Sequence, residues 1–198
     1  GIGVTSSSSN NAIMGNYIGT DVNGTILPGS RSVGMYLSGA NGNWIGGTGA
    51  GEGNLIAGFV DQGVRIESGT MNRVLGNSIQ SIGGLGIDLW PAGVTPNDVG
   101  DVDTGPNNLK NFPDLDTAVA SPGQTQVSGA FSTAPNGMYR IEFFANDGCH
   151  ASGHGAGKTF LGSTSLAVGP SGTASFAAAL NTAAPAGWPT SRPRRTSP

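Results

Sequence analysis

The stretch Gly63–Ile79, GVRIESGTMNRVLGNSI, is echoed on both sides of itself. Its opening, Gly63-Val64-Arg65-Ile66, has relatives in Gly34-Met35-Tyr36-Leu37 upstream and Gly86-Ile87-Asp88-Leu89 downstream. Asn72-Arg73-Val74-Leu75-Gly76 answers to Asn11-Ala12-Ile13-Met14-Gly15 and Asn43-Trp44-Ile45-Gly46-Gly47. Gly76-Asn77-Ser78-Ile79 matches Gly15-Asn16-Tyr17-Ile18 and Gly53-Asn54-Leu55-Ile56. Three short motifs recur in one order, and that order defines a repeat.

Gly63 to Gly86 spans 23 residues, Gly34 to Gly63 spans 29, and Gly3 to Gly34 spans 31. The longer copies carry the inserts Thr48–Glu52 (TGAGE) and Thr20–Ser30 (TDVNGTILPGS). Without them every copy falls near 23, a period at which each unit buries its apolar face against its neighbours. Within a copy, apolar and polar residues alternate over three or four positions between Gly and Asn. That is the mark of short strands with sharp corners. Ile66, Val74 and Ile79 are expected inside, and Arg65, Glu67 and Arg73 outside. Stacking would bring Asn16, Asn54 and Asn77 into register, where their amides can bond along the stack.

The phrases GNYIGTDVNGT, NWIGGTGAGEGNLI and NDVGDVDTGPNNLKNFP carry a resemblance. Over residues 1–116 the chain resembles the right-handed parallel β-helix repeat proteins, the pectin-lyase-like group of large secreted or cell-surface bacterial proteins. The resemblance implies an all-β fold whose first part is a right-handed parallel β-helix of three to four coils. Activity does not follow, because one architecture hosts many functions. Further on, YRIEFFAN, TFLGSTSLAV and GTASFAAAL are similar to a bacterial immunoglobulin-like module. This implies a small, incomplete β-sandwich over 127–198, with strands at 127–131, 139–145, 159–168 and 173–180. Residues 90–116 then read as a cap on the last coil, with Leu109–Leu115 as an apolar plug, and 117–126 as a linker.

Composition narrows the partners. Nine Lys and Arg face twelve Asp and Glu, for a net charge of −3, and no basic stripe is present to hold phosphates. Nucleic acid is therefore not an expected partner. No apolar run reaches the roughly 20 residues of a membrane span, so insertion is not expected either. The first residues enter a repeat without a polar cap, which suggests an internal piece joined to further repeats of a longer chain. A lone Cys149 supplies no disulfide framework. The tail Trp188–Pro198, WPTSRPRRTSP, abandons strand alternation and carries three of the nine basic residues. Either the coding frame shifts near Gly187, removing the closing strand, or this is a disordered basic tail.

Asp98, Asp101, Asp103, Asn107 and Asn108 crowd one turn-rich stretch, an oxygen-rich set of the kind calcium takes. The competing reading is a solvated turn of self-bonded Asx residues. Gly83–Trp90 imitates a calcium nonapeptide but is one copy only, and reads better as the opening strand of the next repeat. Gly153–Thr159, GHGAGKT, lacks the first glycine and the helix of a phosphate loop. Glycan hydrolysis needs two carboxylates facing one cleft, and none of Asp21, Glu52, Asp61, Glu67 and Asp88 is placed as such a pair. Arg65 and Asp88 share a motif position, where a weak stacked ion pair is expected. No catalytic residue is assigned. Tyr36, Trp44 and Phe59 are the candidate ligand platform, offering stacking surface to polysaccharide or cell-surface glycans if they face outward. The function expected is a non-catalytic structural or adhesive repeat region. The alternative is a fragment of a β-helical polysaccharide lyase or glycoside hydrolase.

Overall fold

The computed structural model describes residues 1–6, 8–29 and 32–182. The readings of the tail from Gly187 onward fall outside the described residues. The protein is all-β, with parallel and antiparallel sheets, and divides into two compact units.

The first unit comprises Gly1–Thr95, Asp103–Leu109 and Cys149–Phe160. Among the described residues ten strands occur in the first of these segments, and every third one pairs. Strands β1 (Ile2–Thr5), β4 (Met35–Ser38), β7 (Val64–Ile66) and β10 (Ile87–Leu89) form one parallel sheet. A second contains β2 (Ala12–Ile13), β5 (Trp44–Gly46) and β8 (Arg73–Leu75). The third contains β3 (Tyr17–Ile18), β6 (Leu55–Phe59) and β9 (Ser78–Ile82). The motif alignment read from the sequence is thus the pairing register: Met35 lies opposite Val64, and Val64 opposite Ile87.

Alternation puts the apolar set inside. Met35, Leu37, Ile45, Ile56, Val64 and Ile66 are fully buried, with Ile79 beside them and Val74 packed against the cluster. Arg65, Glu67 and Arg73 face outward, as expected. The corners need residues that accept positive φ. Gly76 has φ +61°, and a Cβ there would strike the Gly47 carbonyl of the neighbouring copy. The two inserts close on themselves. Asp21 accepts the N–H groups of Asn23 and Thr25 at 2.9 and 2.8 Å, and Glu52 accepts Gly49 N–H at 2.7 Å.

Two asparagine ladders run along the stack. Asn54 Oδ1 accepts both the backbone N–H and the amide of Asn16, at 2.9 and 3.0 Å, and Asn77 Oδ1 receives the same pair from Asn54. Asn11, Asn43 and Asn72 repeat the pattern at the second motif. Asn107 ends that ladder: its Oδ1 accepts Asn72 N–H at 3.0 Å, and its own N–H donates to Gly69. At the other ladder's end, Ser78 donates to the Lys158 carbonyl and Ile79 N–H to Gly157. The loop 149–160, placed with the later strands by sequence order, therefore covers the last copy.

The second unit comprises Pro96–Val102, Lys110–Gly148 and, of the described residues, 161–182. Strands β11 (Asp114–Ser121), β12 (Gln124–Ser132) and β15 (Thr173–Leu180) form an antiparallel sheet in the order β11-β12-β15. Strands β13 (Gly137–Ala145) and β14 (Thr159–Val168) form a second sheet. Phe131, Ile141, Phe143, Leu161, Val168, Phe176 and Leu180 make the core. Two expectations are corrected. Residues 117–126 are not a linker: Ser121 pairs with Gln124 across Pro122-Gly123, and Gly123 takes φ +77°, so the Pro-Gly marks a hairpin. Leu109–Leu115 is not an apolar plug, since Leu115 lies in β11 and is 60 % exposed.

The ladder yields a stability test. Asn54→Ala leaves the Asn16 donors and the Ile13 carbonyl without their partner, and is expected to cost about 3 kcal/mol in denaturant unfolding. Asn54→Asp, which cannot donate to Asn77, is expected to cost more. An exposed control, Val22→Ala, at a residue 80 % exposed, is expected to change stability by under about 0.5 kcal/mol.

Candidate functional site

The outward face of the first parallel sheet carries two rows. Gly3, Tyr36, Arg65 and Asp88 stand in register as one row. Two positions further on in each strand the same face carries Glu67, and Trp90 follows Leu89 there. The Arg65 guanidinium lies over the Trp90 ring, 4.1 Å from its centroid, and 5.7 Å from that of Tyr36. Glu67 Oε1 holds the same guanidinium at 3.4 Å. On the second parallel sheet Arg73 lies 4.3 Å over the Trp44 ring, its register partner. Each indole is fixed by a cation–π contact on one face and remains open elsewhere, Trp44 by 39 % and Trp90 by 40 %.

The candidate platform is therefore reapportioned. Tyr36 and Trp44 face outward, on different sheets. Phe59 does not: it is 2 % exposed and packs in the first unit's core, against the backbone of Gly19 and Gly34. Strict alternation from the inward Ile56 would turn Phe59 outward, but Gly58 at φ +80°, matched by Ser81 at φ +53° in β9, breaks the phase and sets Phe59 inside, paired with Ile82. Trp90 was missed because Trp90-Pro91 reads as a pattern break. The available signal was its spacing of two from Asp88, which sets both on one face.

The expected Arg65–Asp88 ion pair does not form. Arg65 turns to Glu67, while Asp88, 2 % exposed, accepts from Gln62 Nε2 at 3.0 Å and from Gly93 N–H at 3.2 Å. The segment after Trp90 folds over this carboxylate and buries it.

The candidate calcium residues are divided between the two units. Asp103, Asn107 and Asn108 belong to the first unit, where Asn107 and Asn108 take φ of 48° and 57° and Asn107 ends an amide ladder. Asp98 and Asp101 belong to the second and bring carboxylate oxygens within 4.8 Å of each other. Asp98 Oδ2 accepts Val102 N–H at 3.1 Å. Asp101 has a fully buried side chain that bonds the Lys110 ammonium, the Asn111 N–H at 3.0 Å and the Thr133 hydroxyl at 2.8 Å. Asn111 Nδ2 in turn ties the Asp98 and Ser132 carbonyls together, at 2.8 and 2.9 Å. A calcium ion at Asp98 and Asp101 would compete with Lys110 for the Asp101 oxygen. The arrangement pins the segment 96–102 to the sheet edge.

No protein-family model matches the chain, and no curated protein matches it.

Burial alone would raise the Asp101 pKa, but the bonds from Lys110, Asn111 and Thr133 outweigh it and hold the group below its ordinary 3.8. A depressed folded pKa contributes stability above the unfolded value and loses it as pH falls through the folded value. Wild type is therefore expected to melt above Asp101→Asn by a constant margin at pH 5 and above. That margin should shrink below pH 3.8. Thermal melts of both proteins from about pH 7 to 2 check this; a gap independent of pH would refute it.

Proposed function

We propose that the three parallel sheets are the faces of a right-handed parallel β-helix, followed by an immunoglobulin-like β-sandwich. We further propose that the chain is a non-catalytic, adhesive or structural region of a secreted or cell-surface protein that binds polysaccharide. The observation that carries the binding role is the pair of guanidinium-backed indoles. Arg73 stacks on Trp44 and Arg65 on Trp90, so each ring is presented without freedom to reorient. A preoriented apolar plate with polar neighbours suits the CH-rich face of a sugar ring.

Four of the five carboxylates named in the coils support a non-catalytic role by their engagement. Asp21 and Glu52 close their own loops, Glu67 holds Arg65, and Asp88 bonds Gln62 and Gly93. Among the described residues no helix is long and apolar enough to cross a membrane. Calcium, if it binds at Asp98 and Asp101, serves stability: the melting temperature should then rise in calcium over chelator, whereas the Lys110 bond leaves the two melts identical.

Binding of soluble polysaccharides, read by affinity electrophoresis or calorimetry, tests the role. Trp90→Ala and Trp44→Ala are each expected to weaken binding about tenfold, the equivalent of about 1.4 kcal/mol, with the melt unchanged. Full retention of binding in both variants would remove the indoles from the interface.

A further inference from the structure

The two sheets of the second unit differ in width, three strands against two. Among the described residues β14 is the one strand beside β13, so the other side of this nine-residue strand faces no strand. A sheet edge of that length is a template for another chain unless its sequence guards it. β11 is guarded: Pro113 precedes it, and Asp114 and Asp116 put two like charges on it. β15, TASFAAAL, is uncharged, so nothing on it selects one register over another. β13 differs from both. It carries one charge of each sign, Arg140 and Glu142, and they flank Ile141, the midpoint of Gly137–Ala145.

Alternation sets Met138, Arg140, Glu142 and Phe144 on the outward face of β13, and Tyr139, Ile141 and Phe143 on the core. Along the strand Arg140 Nε donates to Glu142 Oε1 at 2.9 Å. The Arg140 side chain keeps 38 % of its surface exposed, and Met138 is 72 % exposed.

We infer that β13 pairs antiparallel, edge to edge, with β13 of a second copy, about a two-fold axis at Ile141. Such a pair can change register only in steps of two residues, because a slip of one turns outward side chains onto the core face. With the axis at Ile141 all nine residues are opposed. Arg140 lies opposite Glu142 of the second copy, and Glu142 opposite its Arg140. Met138 meets Phe144, Tyr139 meets Phe143, and Ile141 meets its own counterpart. A slip of two residues one way sets Arg140 against Arg140, and the other way Glu142 against Glu142. Like charges directly opposite disfavour pairing. Greatest overlap and charge matching therefore select the same register, which makes this edge complementary to itself. The product is one sheet, β14-β13-β13-β14, continuous across an isologous interface. This pairing does not depend on the glycan-binding reading.

The test is analytical ultracentrifugation of the full chain over a concentration series, with hydrogen exchange read at Gly137–Ala145. Wild type is expected to dimerise reversibly, and these amides to gain protection as dimer forms. Arg140→Glu sets carboxylates face to face on both sides of the axis, and is expected to weaken the dimer about tenfold or more, with melts recorded alongside. The charge exchange, Arg140→Glu with Glu142→Arg, restores opposite signs across the axis and is expected to restore the dimer. Should the exchanged variant fail to fold, Arg140→Lys, which keeps the sign, takes its place and is expected to dimerise like wild type. A wild type that stays monomeric overturns the inference; if its β13 amides are already protected, the edge is covered from within the chain. A dimer that Arg140→Glu leaves unchanged, or that adds no protection in β13, places the interface elsewhere and overturns it as well.

Discussion

The first unit depends on the side-chain amide of asparagine bonding to its own counterpart in the next copy. Asn43 and Asn54 each accept two donors from one neighbour and donate to the other, and both are buried without unsatisfied polar atoms. Buried amides left unpaired would cost about 1–3 kcal/mol each. That cost makes register strict: a shift of one residue in any copy would break the ladder and turn the apolar set outward. The two long inserts are tolerated because they leave the corner between the ladder asparagine and its following strand untouched.

A ladder of this kind needs an end, and the chain supplies each end from a distant part of itself. Asn107 completes the line Asn11, Asn43, Asn72, and the backbone of Gly157 and Lys158 receives donors from Ile79 and Ser78. Both closing segments are short and irregular, and their residues act through backbone carbonyls or a single amide. They do structural work with no strand pattern of their own. By covering the last copy they also leave the outward rows of the first sheet as the open surface, where Arg65 and Trp90 sit.

The second unit uses charge where the first uses amides. Asp101 is buried with a cation, a hydroxyl and a backbone N–H around it, and the net effect of these bonds prevails over burial. A carboxylate so engaged orients its loop. Two residues of the stretch 98–108 take structural roles of different kinds: Asn107 closes an amide ladder and Asp101 anchors a loop.

The repeat, the strand phase, the inward apolar set and the Asn16–Asn54–Asn77 line were all legible in the sequence. Each depends on local alternation and on like residues meeting like at a fixed period. The four strands expected after residue 126 were also legible, because β-branched and aromatic runs between turn signals need no partner to be recognised. Other features depended on contacts between segments far apart in the chain. Phe59 sits inward although aromatics of either phase look alike in one dimension. Arg65 chooses Glu67 and Trp90 over Asp88, its register partner, because the chain beyond Trp90 folds over Asp88 and supplies Gly93 and, from the other side, Gln62. The Pro122-Gly123 pair forms a hairpin only because Gln124–Ser132 finds β15 to pair with. Alternation and periodicity are properties of neighbours along the chain, so sequence determines them; which buried polar group meets which partner is settled by three-dimensional closure, and only the tertiary structure decides it.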